Sequence, residues 1–215
     1  MNRLAIVTAV LGLAVGFAAC VSVYSGESPK VTDEFRAQFL KEFKHISLDT
    51  TAGDAMFLRI LVQSRKAQRG VEVGTARGFG AMNMGIGFER TGGHLWTVDI
   101  DPDMVKAARE NLEKLGLSKT VTCVEGDALK VLPTLEGPFD FAFLDALKQD
   151  YFKYFKALEP KMKPGAVLVA DNVIKSAKAM QDFLDFMGSS PDWEMVIIRA
   201  SLDKNDGMAV CYKVK

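Results

Sequence analysis

Two acidic residues and an amide follow two apolar strands, at the point where each strand ends. Asp145 comes directly after residues 141–144, and Asp171 with Asn172 comes directly after residues 167–170. Parallel strands joined by a crossover end at one edge of a sheet, so the three side chains are expected to lie together. Oxygen ligands of this kind suit a hard divalent ion such as Mg²⁺. The alternative is that both aspartates are only helix caps.

A glycine-rich turn follows an earlier strand. Residues 71–80 read VEVGTARGFG, and a stretch with helical spacing comes next. Glycine lets the backbone turn sharply and lets a ligand lie against it, although a purely structural turn is the alternative. Asp99 ends the next strand, where doubly wound folds place an acid against ribose hydroxyls, because Asp101 can cap the helix that begins at Pro102. The pattern predicts a nucleoside-bearing cofactor.

The third strand ends in a further polar turn. Residues 124–128 read VEGDA and are placed to border an adenine ring, while Asp127 alone can be explained as a helix cap.

Short apolar runs alternate with segments of helical periodicity, which is the pattern that positions these turns. The alternation predicts βαβ units in an α/β, doubly wound and mostly parallel Rossmann-like sheet. Two final runs with a short polar loop between them predict a C-terminal antiparallel hairpin. The strands are expected at residues 70–73, 94–98, 120–124, 139–144, 166–170, 193–199 and 207–214.

Composition restricts the class of protein. The chain has 215 residues, of which 48% are hydrophobic, and this suits one domain with a sizeable core. Lys plus Arg and Asp plus Glu are both 27, so no basic field is available and nucleic acid is not an expected partner. Cys20, Cys123 and Cys211 form no C-x-x-C pair, and neither a disulfide framework nor a zinc site is suggested.

The N-terminus carries an apolar segment. Residues 4–23 contain no charge and follow Arg3, which predicts membrane association. A cleaved signal peptide, a lipoprotein signal ending at Cys20 and an uncleaved single-span anchor all fit. We therefore predict a signal or anchor at residues 1–24, a linker at residues 25–31 and the folded domain at residues 32–215.

The order and spacing of these motifs resemble the cation-dependent O-methyltransferases, the family that includes the catechol and caffeoyl-CoA enzymes. The resemblance covers roughly residues 45–215 and is carried by residues 71–75, 97–102, 125–128, 143–151 and 170–173. It implies a methyltransferase fold, S-adenosylmethionine as cofactor, a divalent cation such as Mg²⁺, and a small hydroxylated acceptor of the catechol or hydroxycinnamoyl type.

Residue by residue, the resemblance implies that Asp145, Asp171 and Asn172 bind the metal and that Lys148 is the general base. A hydroxyl oxygen bound to a cation loses its proton more readily and can then attack the sulfonium methyl in line. The resemblance also implies cofactor contacts from Thr50, Glu72, Gly74, Thr75, Asp99, Gly126, Ala128 and Asp145.

The chain departs from the family pattern at three places. Gly80 stands where many relatives carry a serine directed at the methionine carboxylate, so backbone groups are expected to hold that end of the cofactor. Leu147 stands where plant and bacterial relatives have a second aspartate. Residues 199–201 lack the acid that catechol-type relatives place near their last strands, which puts catechol itself in doubt as the acceptor.

Two other functions are compatible with part of the pattern. An NAD-dependent oxidoreductase would share the glycine-rich turn and Asp99, but the sequence has no Tyr-x-x-x-Lys relay. A membrane-tethered protein that binds the cofactor without turnover is the second alternative. Because the cofactor is made in the cytosol, a cytosol-facing domain is favoured, while the membrane side, the acceptor and the oligomeric state, including a homodimer, stay open.

Overall fold

The computed structural model describes residues 31–215. The predicted segment at residues 1–24, the lipidation site at Cys20 and nearly all of the linker lie outside these residues. Within residues 31–215, every helix is too short or too polar to cross a bilayer.

One seven-stranded sheet forms the centre of the domain. Its strand order is β3-β2-β1-β4-β5-β7-β6. The first five of these strands are parallel, whereas β7 runs antiparallel to both β5 and β6, so the predicted doubly wound sheet with a C-terminal hairpin is confirmed. The strands are β1 (Arg69–Val73), β2 (His94–Asp99), β3 (Val121–Glu125), β4 (Phe139–Leu144), β5 (Met162–Ala170), β6 (Trp193–Ile198) and β7 (Met208–Lys213).

Helices cover both faces of the sheet. Strand β4 is buried along its whole length, and its side chains alternate between two cores because successive residues point to opposite faces. Phe141 and Phe143 belong to the core packed by α2, α3 and α4, while Ala142 and Leu144 belong to the core packed by α6 and α7. The helices are α1 (Asp33–Lys41), α2 (Ala52–Ser64), α3 (Phe79–Thr91), α4 (Pro102–Lys114), α5 (Ala128–Val131), α6 (Tyr151–Leu158) and α7 (Gln181–Ser189).

Helix starts follow the capping residues of the sequence. The side chain of Thr32 accepts a hydrogen bond from Phe35 N at 3.2 Å and begins α1. Asp101 accepts one from Asp103 N at 2.9 Å, with Pro102 as the first residue of α4. Proline at this position loses no hydrogen bond, because the first helical N–H groups have no partner within the helix.

The strand bounds expected from the sequence agree with the structure to within one residue except at the start of β5. Strand β5 begins at Met162 rather than at residue 166, and Pro164 with Gly165 lies where the register against β4 shifts. Proline and glycine are tolerated in a strand at such an irregularity, although in a sequence they read as breakers. In α2, Met56 and Ile60 are exposed, and the small residue Ala55 with Leu58 and Val62 forms the buried face.

Candidate active site

A cavity of about 870 Å³ lies along the carboxyl ends of the parallel strands. It spans the point between β1 and β4 where the strand order reverses, which is the usual ligand site of doubly wound sheets. Glu72 and Thr75 are buried and are not part of its lining. The other predicted site residues all line it: Thr50, Gly74, Asp99, Gly126, Ala128, Asp145, Lys148, Asp171 and Asn172.

Gly74 brings the two central strands together at the floor of the cavity. Its φ is +98°, a left-handed conformation that favours glycine. A Cβ at this position would lie 2.0 Å from the carbonyl oxygen of Asp145. The N–H of Gly74 donates to Val98 O at 2.9 Å, and the N–H of Asp145 donates to Val73 O at 2.8 Å. Only glycine therefore allows the backbones after β1 and β4 to pass this closely.

Asp99 holds the glycine-rich turn through backbone hydrogen bonds. Its Oδ2 accepts the N–H groups of Thr75 and Ala76, both at 2.9 Å, and its Oδ1 accepts that of Asp101 at 3.0 Å. Asp101 caps α4, as predicted. Asp99 therefore has a structural role, because it fixes the glycine-rich turn. Its carboxylate also lies in the cavity lining and can accept a further hydrogen bond from a ligand.

The turn after β3 closes the same end of the cavity. The N–H of Gly126 donates to the carbonyl oxygen of Asp99 at 2.8 Å. Asp127 accepts the N–H of Leu129 at 2.9 Å and is the N-cap of α5, so its helix-cap role is confirmed.

Glu72 lies behind the cavity wall as a fully buried acid, with 1% of its surface exposed. Its Oε2 accepts the hydroxyl of Thr97 at 2.5 Å. Burial raises the pKa of Glu72 to about 8, with further repulsion from Asp145 and Asp99, although the hydrogen bond from Thr97 acts in the opposite direction. The side chain is therefore largely protonated near neutral pH in this structure.

Gly80 faces Glu72 instead of open space. A Cβ at Gly80 would lie 2.7 Å from Glu72 Oε1 and 3.1 Å from Thr50 Oγ1. The Cβ of a serine at this position would therefore be too close to the carboxyl group of Glu72. The absence of a side chain at Gly80 leaves room for that carboxyl group.

Lys148 stands between a carboxylate and a phenol. Its Nζ lies 2.8 Å from Asp145 Oδ1 and 2.8 Å from the hydroxyl oxygen of Tyr151. The Tyr151 hydroxyl is 3.0 Å from the carbonyl oxygen of Leu144 and is fully buried. Burial, and then the charges of Asp145 and Asp171, raise the pKa of Tyr151 well above its usual value. Tyr151 therefore keeps its proton and fixes the position of the Lys148 ammonium.

The Asp171 carboxylate is paired with a lysine from the loop between β6 and β7. Lys204 Nζ lies 2.6 Å from Asp171 Oδ1 and 2.5 Å from Oδ2, and it also contacts Asp54 Oδ2 at 3.1 Å. Burial, and then repulsion from Asp145, raise the pKa of Asp171 to about 6, against the opposing effect of Lys204 and of the Asn172 N–H. Two acidic groups near one another thus require a positive charge, which Lys204 supplies here.

Asp206 fixes the turn that carries Asn172. Its Oδ1 accepts the N–H groups of Ile174, Lys175 and Gly207 at 3.0, 3.1 and 2.9 Å. Burial by itself raises the pKa of Asp206, but these backbone hydrogen bonds outweigh it and the pKa lies below its usual value. Asn172 has a φ of +61°, a conformation that asparagine tolerates well, and its side chain points to Asp206 at 3.4 Å.

The donor set at the ends of β4 and β5 fits a hard divalent ion. It consists of two carboxylates and an amide oxygen, and the mutual repulsion of the carboxylates favours a cation between them. Within residues 31–215, however, no three His, Cys, Asp or Glu side chains meet as a preformed metal cluster. The lysines at positions 148 and 204 occupy both carboxylates instead.

Sequence reasoning missed four charged residues of the site: Asp49, Asp54, Lys204 and Asp206. Asp49 lines the cavity, pairs with Arg77 at 2.6 Å, and leaves its buried Oδ1 without a partner among the described residues. For Lys204 and Asp206 the sequence offers only a high density of polar residues at positions 203–207, which is also typical of an ordinary hairpin loop.

Two of the three departures from the family pattern, Leu147 and the stretch at residues 199–201, concern the expected acceptor side of the cavity. Leu147 lines it and is 59% exposed. Ser201 is buried, whereas Asp203 on the same loop lines the cavity. The loop thus supplies an acid, Asp203, slightly beyond residues 199–201, where the family pattern places it.

The chain is similar to known O-methyltransferases. The chain is 31% identical over 202 residues to the catechol O-methyltransferase of Mycobacterium tuberculosis, covering 88% of this chain and 90% of that protein. It is 32% identical over 140 residues to the catechol O-methyltransferase of Niastella koreensis, an alignment that spans 63% of each chain, just under two thirds.

A solved structure has the same fold. The O-methyltransferase TomG of Streptomyces achromogenes, solved in complex with S-adenosylmethionine, superposes with a TM-score of 0.74 at 26% identity, covering 90% of this chain and 93% of that chain. The family model described as O-methyltransferase matches residues 21–189, most of the chain. The chain therefore belongs to the O-methyltransferase family and has the Rossmann-like fold of its S-adenosylmethionine-dependent members.

Proposed function

We propose that the protein transfers a methyl group from S-adenosylmethionine to a hydroxyl group of a small acceptor, with a divalent cation such as Mg²⁺. The observation that carries this proposal is the position of Asp145, Asp171 and Asn172 at one end of the cavity, with Lys148 Nζ 2.8 Å from Asp145. Family membership supports the methyl transfer. The metal dependence is argued from the donor set.

The cofactor half of the cavity has groups that match the parts of S-adenosylmethionine. Asp99 offers carboxylate oxygens to the ribose hydroxyls, and Gly126 with Ala128 lines the expected adenine region. The buried Oδ1 of Asp49, unpaired among residues 31–215, suits the ammonium group of the methionine end. When bound, the cofactor supplies an electrophilic methyl group on a sulfonium sulfur.

Asp145, Asp171 and Asn172 would hold the cation, which supplies Lewis-acid stabilisation of an ionised hydroxyl. Lys148 Nζ, after releasing its own proton to solvent, would receive the acceptor's proton, and Asp145 together with the Tyr151 hydroxyl keeps that nitrogen in place. The chain otherwise contributes by holding two partners in line, since orientation alone can lower the barrier by several kcal/mol.

We infer an acceptor of the catechol or hydroxycinnamoyl type. Relatives carry the names catechol O-methyltransferase and caffeoyl-CoA O-methyltransferase. Asp203 and Leu147 line the acceptor side of this cavity, one offering a carboxylate and the other an apolar surface. Neither the nicotinamide alternative nor a binding protein without turnover is favoured by the relatives.

Methyl transfer from labelled S-adenosylmethionine to a panel of catechols and hydroxycinnamoyl thioesters tests the proposal, with Mg²⁺ and with a chelator. We expect product only with the metal, and its loss in Asp171→Asn. Asp101→Asn, which removes an exposed acid of the same cavity and keeps the cap of α4, is the control for general electrostatics. Equal product with chelator, or from Asp171→Asn, would contradict the metal-dependent mechanism.

We also propose that residues 4–23 attach the enzyme to a membrane, with the domain facing the cytosol and with a homodimer as a compatible assembly. The uncharged apolar run supports the attachment. Intact mass of protein purified from membranes distinguishes an uncleaved anchor, a lipidated Cys20 and a cleaved signal. Protein recovered only in the soluble fraction at full length would contradict the attachment.

A further inference from the structure

Lys204 is the most enclosed of the lysines that line the cavity, with 15% of its side chain exposed. It lies on the loop between β6 and β7, and it joins Asp171 at the end of β5 to Asp54 on α2. The motifs that define the family resemblance assign it no role, and the proposed mechanism does not use it.

The Lys204 ammonium is saturated by these two carboxylates. An ammonium has three N–H donors, and three carboxylate oxygens lie within 3.1 Å of Nζ: both oxygens of Asp171 and Oδ2 of Asp54. Asp171 Oδ1 additionally accepts the N–H of Asn172 at 2.7 Å. Both oxygens of the proposed metal ligand therefore already have a hydrogen-bond donor before any cation arrives.

A divalent ion that coordinates Asp171 would compete with Lys204, because the ammonium contacts both oxygens of this carboxylate. An ion coordinated by a carboxylate oxygen would lie within a few ångström of the ammonium, and like charges at that distance repel strongly in a partly buried site. Asp54 offers Lys204 a second carboxylate to which it can stay paired. Displacement from Asp171 therefore need not leave a buried charge without a partner.

The loop can accommodate such a displacement. Asp206 anchors its far end through three backbone N–H groups, those of Ile174, Lys175 and Gly207. Leu202, two residues before Lys204, is fully exposed. Movement of Lys204 would also shift Asp203, which lines the cavity next to it.

We propose that Lys204 is an internal competitor of the divalent cation, holding the Asp171 carboxylate in the metal-free enzyme and leaving it when the cation binds. The inference rests on the proposed metal site. Its consequences are a metal affinity lower than the donor set alone would give, and a loop position that depends on the metal. A permanent structural ion pair would also weaken metal binding, but the loop position would then not depend on the metal.

Binding of Mn²⁺ to the full-length protein, followed by the electron paramagnetic resonance signal of the free ion, tests this without an activity assay. We expect Lys204→Met to bind Mn²⁺ about tenfold more tightly than the wild type, the scale on which neighbouring groups alter metal affinity. Lys175→Met is the matched control, because Lys175 lines the same cavity but forms no ion pair within residues 31–215. It should change the affinity less than about twofold.

The outcomes separate the two proposals. Equal affinities of the wild type and Lys204→Met overturn the competition but leave the metal site, whereas absence of Mn²⁺ binding in every variant overturns both. A second measurement uses the wild type alone: the rate of Lys204 acetylation, read by mass spectrometry, should rise severalfold when Mg²⁺ saturates the site. An unchanged acetylation rate at saturating Mg²⁺ contradicts the displacement even if the variant does not fold.

Discussion

The two halves of the cavity are organised by different kinds of contact. At the ends of β1 and β2, backbone N–H groups hold Asp99, and a glycine sets the path of the chain. At the ends of β4 and β5, lysine side chains hold the carboxylates of Asp145 and Asp171. In the first half the groups that hold the acid belong to the backbone and are fixed by the fold. In the second half they are side-chain ammonium groups, which other cations can replace.

This difference follows from what each half has to do. A cofactor of fixed shape is bound well by a preorganised surface, because no ordering is required on binding. In the proposed mechanism the second half admits a cation, an acceptor and a proton and must exchange charges during each turnover, and ammonium groups on flexible stems can move or lose a proton. Substitutions in the first half should therefore affect stability and cofactor binding, whereas substitutions in the second half should affect catalysis.

The largest effect is expected from Lys148→Met in the exchangeable half. Loss of a general base lowers kcat by about 10³-fold, and the affinity for S-adenosylmethionine should change little because the cofactor half is untouched. Steady-state kinetics with a responsive acceptor, together with calorimetric cofactor binding, measures both. Lys175→Met removes a lysine from the same cavity and should retain kcat within about threefold. Equal losses in the two variants would rule out a specific role for Lys148.

Gly74→Ala should break the connection between the halves. The added Cβ would start 2.0 Å from the Asp145 carbonyl oxygen, at a φ of +98°, so we expect a loss of about 3 kcal/mol or more in the free energy of unfolding. Gly92→Ala separates the two causes. Gly92 also has a positive φ, of 74°, but nothing lies within 4 Å of its Cβ position, so about 1 kcal/mol is expected there. Urea unfolding measures both, and similar losses would mean that the contact with Asp145 is unimportant.

Glu72→Gln tests the buried acid behind the cavity wall through the pH dependence of stability. Burial raises the pKa of Glu72 from 4.5 to about 8, so the folded protein binds a proton that the unfolded chain releases. The resulting stability is complete below about pH 4.5 and is lost as the pH rises through about 8. Between about pH 6 and about pH 7.5 the free energy of unfolding of the wild type should fall by roughly 2 kcal/mol more than that of Glu72→Gln, because glutamine cannot ionise.

Urea unfolding at several pH values measures this difference for Glu72. Glu125→Gln is the control, because Glu125 is an exposed acid at the end of β3. Its free energy of unfolding should depend on pH in the same way as that of the wild type. A wild-type stability that is as flat with pH as that of Glu72→Gln would show that Glu72 does not carry a raised pKa.

The backbone-held half was readable from sequence because its residue types follow the ends of the strands. The cap at Asp101 is set by its neighbours in the chain, and the glycine-rich turn is marked by its own residues, although the Asp99 bonds that hold this turn span 23 and 24 positions. The strands were likewise marked by uninterrupted apolar runs, as in β4. Only the start of β5 was misplaced by more than one residue, because Pro164 and Gly165 resemble breakers until the irregular register beside them is known.

The exchangeable half was readable only in part. Asp145 and Asp171 were placed by the rule that parallel strands end at one edge, but their partners come from elsewhere in the chain. Lys204 is 33 positions from Asp171 and 150 from Asp54, and no periodicity or motif connects them. Contacts of this kind depend on how a loop folds back over the sheet, which local sequence does not determine.

The smallest effect is expected from Asp99→Asn, which tests whether the backbone-held half binds the cofactor through its side chain at all. Asparagine keeps an oxygen for the N–H groups of Thr75 and Ala76, so the turn should persist while the acceptor for a ribose hydroxyl is lost. We expect the Kd for S-adenosylmethionine to rise about tenfold, the equivalent of about 1.4 kcal/mol. Asp101→Asn removes the same charge two residues away and keeps the helix cap, so calorimetry should find its Kd within about twofold of the wild type. A similar rise in both variants would mean that the charge of this strand end attracts the cofactor, and the backbone alone would then form its binding surface.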